Sequence, residues 1–75
     1  MARLPRITGD EALRALRKAG WREVRRRGSH VMLHHGSRPG RVVVPVHAGA
    51  ILKPKTLLSI LDQAGIDAEE FRGLV

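Results

Sequence analysis

Apolar residues Ala12, Leu13, Leu16 and Ala19 recur at helical spacing, with Arg14, Arg17 and Lys18 between them. That period belongs to a helix with one apolar side. Thr8 stands where a cap is needed, Glu11 lies three residues on, and Ile7 with Ala12 is placed to close a hydrophobic staple. Gly20 supplies a stop. The spacing predicts a helix over 9–19. After Gly20 the period changes to two. Trp21 to Arg27 reads as a strand whose only large apolar residues are Trp21 and Val24, and Gly28-Ser29 reads as a turn. From His30 to His35 the residues alternate, Val31 and Leu33 on one side against His30, Met32 and His34 on the other. Residues 36–40 are loop by composition. Arg41 to Val46 is a third strand, with Val42, Val44 and Val46 sharing a face and Pro45 suiting an edge or a strand end.

The last third returns to helical spacing. Pro54 fits a first helical position, Leu57, Leu58, Ile60, Leu61 and Ala64 form the apolar stripe, and Gly65 ends it. Ile66 is placed to fold back on Leu61 in a Schellman cap. Residues 67–70 look like a second capping box, opening one short turn that packs Phe71 and Leu74. The whole is an α+β chain of order α-β-β-β-α with a short tail. It is expected to form a three-stranded antiparallel sheet with two helices on one face. The other face is then open to solvent and carries His30, Met32, His34, Arg41 and Val43.

Residues 1–75 read as one domain, since the chain is too short for two. With no cysteine it has neither a disulfide nor a thiolate metal site, which fits a reducing compartment. No apolar run reaches the roughly 20 residues of a membrane helix. The first residues lack the apolar stretch and cleavage site of a signal peptide. A cytoplasmic, membrane-independent protein is the expectation.

Charge changes the picture more. The net charge is +7, and residues 1–27 hold nine bases against three acids. Residues 28–56 hold four bases and no acid, and residues 57–75 one base against four acids. Eleven of the fourteen bases are Arg, whose planar fork suits phosphate. A polyanion facing the first two thirds, with the C-terminal segment turned away, is favoured over a merely solvated basic surface. Only Trp21 and Phe71 are aromatic and both look like core, so a platform that stacks bases on several exposed rings is excluded.

Candidate chemistry rests on His30, His34, His35 and His47. Along one strand, His30 and His34 stand about 13 Å apart at Cα, too far to share an ion. No acid lies between Glu23 and Asp62 to complete a ligand set. No metal and no cofactor is expected. His30 follows Arg25-Arg26-Arg27-Gly28-Ser29. It is either a base beside a phosphodiester drawn by the Arg run, or an exposed strand histidine, and the residues leave both open. Lys53-Pro54-Lys55-Thr56 at a helix start is either a phosphate contact or an ordinary basic helix start. Ser29 has no acid partner nearby for a triad, and no phosphate-loop spacing is present.

Gly20-Trp21, the run Arg25 to His30 ending in Gly-Ser-His, Val44-Pro45-Val46-His47, and Leu52 to Leu61 followed by Ala64-Gly65-Ile66 form one constellation. In this order and spacing it resembles the HicA-type toxins of bacterial type II toxin–antitoxin systems, over roughly residues 7–71. The resemblance implies a double-stranded-RNA-binding-like fold. It also implies a ribosome-independent mRNA interferase, with mRNA as substrate and a HicB-type antitoxin as partner. It places the catalytic role on His30, while His47 matches a Pro-x-His element without an assigned role. On that reading His30 moves a proton at a ribose 2′-OH or a departing 5′-oxygen. Arg26, Arg27, Lys53 or Lys55 bind the RNA and stabilise charge on phosphate. His34 is the nearest second group. The alternative is a non-catalytic RNA-binding module on the same fold. A DNA-binding antitoxin fits poorly, as no helix-turn-helix pair is present.

Overall fold

Thr8 opens the first helix through a reciprocal capping box. Its Oγ1 accepts from the Glu11 amide at 3.2 Å, and Glu11 Oε1 accepts from the Thr8 amide at 2.9 Å. The computed structural model describes residues 3–75. Residues 1 and 2, which the one-domain reading of 1–75 includes, lie outside the described residues. The elements follow in the order α1 (Gly9–Lys18), β1 (Trp21–Arg27), β2 (His30–His35), β3 (Val42–Pro45), α2 (Pro54–Ala64) and α3 (Ala68–Arg72). The expected α+β order is present, and the tail forms a third, short helix.

The three strands make one antiparallel sheet in the order β1-β2-β3. Val31, Leu33, Val42 and Val44 are fully buried on one side of it. α1 lies against β1 and β3, and α2 against β3, so the helices back that side. Leu13, Leu16, Leu57, Ile60, Trp21 and Phe71 complete the core. Burying a side chain of this size stabilises the fold by about 1.5–3 kcal/mol, which a chain without disulfides needs. A Cβ on Gly9 would stand 2.5 Å from the Pro45 carbonyl oxygen, so the bare glycine lets α1 start against the end of β3.

α2 ends, and α3 begins, as the sequence dictates. Gly65 is left-handed at φ 68°, its amide donates to the Asp62 carbonyl at 3.2 Å, and the Ile66 amide donates to Leu61 at 3.1 Å. Those two bonds are a Schellman motif, and Ile66 and Leu61 are both buried beside it. Asp67 caps α3 by accepting from the Glu70 amide at 2.7 Å, and Phe71 is buried as expected.

Two residues depart from the expected pattern. Leu58 is 53% exposed, because Leu57, Ile60, Leu61 and Ala64 already fill the inward stripe and its neighbour points about 100° away. Val24 is 52% exposed, because the pairing of β1 with β2 slips between Glu23 and Arg25 and leaves Val24 as the extra residue of a bulge.

Candidate functional site

The open side of the sheet is built by cross-strand pairs. Residues directly opposite each other in an antiparallel ladder project to the same side. Arg27 is paired with His30, Arg25 with Met32, Met32 with Val43, and His30 with Pro45. The Gly28-Ser29 connection is two residues long. Gly28 has φ +59° and Ser29 does not, the pattern of a II′ turn that suits a tight hairpin. These pairs surround a shallow depression of about 300 Å³ lined by Arg25, Arg27, His30, Met32, Arg41 and Val43. Met32 and Val43 are half-buried and form its floor. Three guanidinium groups and one imidazole form its polar part, with no carboxylate among the lining residues.

The register set by the hairpin decides which arginines join His30. Arg26 is paired with Val31, whose side chain is in the core, so Arg26 projects to the helix side. There its Nε donates to Glu23 Oε1 at 3.4 Å, and Arg17 Nη2 donates to Glu23 Oε2 at 3.3 Å. Exposed pairs of this kind add little stability. Their consequence is electrostatic: the one acid of β1 is engaged on the far side, leaving Arg25, Arg27 and Arg41 free of ion pairs among the described residues.

Of the residues singled out in the sequence, Arg27 and His30 are brought together, and Arg26 is not. Arg25 takes the place assigned to Arg26. The signal was available: a two-residue turn makes Arg27 and His30 partners, and alternation back from Arg27 selects Arg25. Lys53 lies in a neighbouring depression of about 310 Å³, with Pro45, His47 and Thr56 in its lining. Pro45 is the cross-strand partner of His30, which puts this depression next to the first, with no lining residue in common. Lys53 is also the N-cap residue of α2. Lys55 is exposed on the first turn of α2 and lines neither depression. His34 is paired with Arg22, and it does not line the His30 depression.

His35 has a different role. Its Nδ1 accepts from the Ser37 amide at 2.9 Å, so Nε2 carries the proton and donates to the Ala19 carbonyl at 3.0 Å. Its ring meets Trp21 edge-on with centroids 5.2 Å apart. Nε2 thereby ties the end of β2 to the end of α1, and Nδ1 holds the ring in place from the following loop. Gly20 lies beneath this ring at φ +97°, where a Cβ would stand 2.6 Å from Nε2. That explains why glycine precedes Trp21.

Residues 9–66 match the family model for the HicA toxin of bacterial toxin–antitoxin systems. The match runs from the first residue of α1 to the Ile66 that closes the Schellman cap. No curated protein matches the chain.

Proposed function

The chain belongs to the HicA toxin family of bacterial toxin–antitoxin systems, and we propose that it acts by cleaving RNA, as an endoribonuclease with His30 as its general acid or base. One observation carries this reading. His30 stands in an acid-free depression with Arg25, Arg27 and Arg41, so an imidazole and three phosphate-binding forks converge on the same open surface.

In the proposed reaction, the RNA phosphodiester is held by the arginines. The ribose 2′-oxygen attacks the adjacent phosphorus, the bond from phosphorus to the 5′-oxygen breaks, and the 2′ proton leaves. The products are a 2′,3′-cyclic phosphate and a 5′-hydroxyl. His30 takes the 2′ proton or supplies the proton that the 5′-oxygen needs. Arg25 and Arg27 stabilise the charge that builds on the phosphate oxygens. Arg26, on the other side of β1, contributes only to the general field. Lys53, and Lys55 beyond it, bind the strand where it runs past Pro45 to the start of α2. The scheme uses no metal. The natural partner is a HicB-type antitoxin that covers the depression and withholds His30 from RNA.

Incubating the purified protein with RNA in EDTA tests the activity. The expected result is fragments with cyclic-phosphate and 5′-hydroxyl ends, and their loss when the scissile ribose is 2′-deoxy. Binding without cleavage would instead make the chain an RNA-binding module.

A further inference from the structure

The depression beside His30 is more than a patch of positive charge. Met32 and Val43, cross-strand partners in the middle of the open face, give it an apolar floor, and the guanidinium groups stand around that floor. A phosphate has no use for such a floor. A flat apolar ring does.

We propose that the Met32–Val43 floor seats one unpaired nucleobase of the RNA, so that the site takes single-stranded RNA and positions it through a base as well as through phosphate. The proposal rests on the RNA-cleaving reading of the same site. The depression, at about 300 Å³, lies at the small end of ligand-sized pockets and suits one nucleoside-sized group. The thioether of Met32 is polarizable and makes favourable contacts with aromatic rings. Arginine planes stack on bases where aromatic side chains are missing, and Arg25 and Arg41 flank the floor. Trp21 and Phe71 are buried, so neither offers its ring to a base.

The base must be unpaired. In a duplex both faces of a base are covered by its stacked neighbours, and only an unstacked base can lie flat against the sheet. Met32 and His30 are two residues apart on one strand face, about 7 Å at Cα. That distance is on the scale of one nucleotide, so the seated base belongs to a nucleotide next to the phosphate that His30 serves. Met32 is then a positioning residue, acting on where the phosphate lies.

The test uses the His30→Ala protein, which prevents turnover, at one fixed salt concentration, with binding read by fluorescence anisotropy. The probes are a single-stranded ribo-oligonucleotide, the same strand annealed to its complement, and a series of that strand lacking one base at each position in turn. The expected result is about tenfold weaker binding to the duplex, and a similar loss at one abasic position. In a Met32→Ala, His30→Ala protein the intact strand binds about as weakly as the abasic one, and removing the base costs nothing more. Met32→Leu restores most of the difference. In the protein that retains His30, Met32→Ala lowers kcat as well as raising KM, because a strand held by phosphate alone no longer sets its 2′-oxygen beside His30. Equal binding of single strand and duplex would overturn the proposal, as would an abasic penalty that survives Met32→Ala. Failure of the wild-type protein to cleave RNA, with this binding pattern intact, would sink the nuclease reading and leave the base seat standing.

Discussion

Arg27 and His30 face each other across the first hairpin, and the two-residue Gly28-Ser29 turn holds both on the open side of the sheet. Alternation back from the turn keeps Arg25 on that side and sends Arg26 to the other, and the bulge at Val24 lets Trp21 still point into the core. Arg27→Ala and Arg25→Ala are each expected to lower kcat/KM for RNA cleavage about tenfold or more, as loss of a charged donor to phosphate does. Arg26→Ala is expected to stay within about twofold. Steady-state cleavage of one oligonucleotide by the three variants checks this, and an Arg26 effect as large as that of Arg27 would contradict the face assignment.

Gly20→Ala is expected to destabilise the fold by about 1–3 kcal/mol, the usual cost of holding a side chain in sparsely populated backbone geometry. The cause is local and double. The position has φ +97°, and the added Cβ meets His35 Nε2, which already donates to the Ala19 carbonyl. Urea unfolding of the variant reads the loss directly; a midpoint equal to wild type would remove His35 as the clasp between α1 and β2.

The β3 edge is closed by a side chain. Gln63 Oε1 accepts from the Val43 amide at 2.8 Å, its Nε2 donates to Ser59 Oγ at 3.2 Å, and Pro45 has no amide to offer. Gln63→Ala bares a strand edge that can template pairing with another chain. The variant is expected to lose about 1 kcal/mol of stability and to self-associate at concentrations where wild type is monodisperse by light scattering.

Glu11 has its carboxyl held below the ordinary value of 4.5, first by the hydrogen bond from the Thr8 amide, with burial opposing. The Thr8 hydroxyl and Arg14 add to the lowering. A depressed carboxyl stabilises the folded state above its ordinary value, and that contribution is lost as pH falls through the lowered one. Wild type is therefore expected to be more stable than Glu11→Gln at neutral pH, with the gap closing in acid below 4.5. Thermal melts of both proteins across that range check the trend; a gap that widens in acid would be inconsistent with it.

The fold was legible where the period of the chain was unambiguous. The helices over 9–18 and 54–64, the three strands and the Schellman closure at Gly65 and Ile66 all follow from local spacing and caps. The third strand spans Val42–Pro45 and not Arg41–Val46, although the Val46 amide still donates to the Ser29 carbonyl at 2.6 Å. The candidate site was legible only in part. His30, Arg27 and, by alternation back from Arg27, Arg25 follow from the Gly-Ser turn; what no residue in Arg22 to Arg27 announces is the slip at Val24, which lets Trp21 stay in the core on the same strand. Three consecutive arginines look alike by composition, and it is counting back from the turn that separates Arg25 and Arg27 from Arg26. The role of His35, too, depends on Ala19 and Ser37 meeting its two nitrogens, a tertiary arrangement that periodicity does not carry.

RNA cleavage by His30→Ala tests the central claim most directly. His30 is exposed and outside the core, so the variant is expected to unfold at the wild-type urea midpoint and still bind RNA. Its single-turnover cleavage rate in EDTA is expected to fall at least a hundredfold, the range of general acid–base assistance. Cleavage at the wild-type rate by a folded His30→Ala protein would contradict the account.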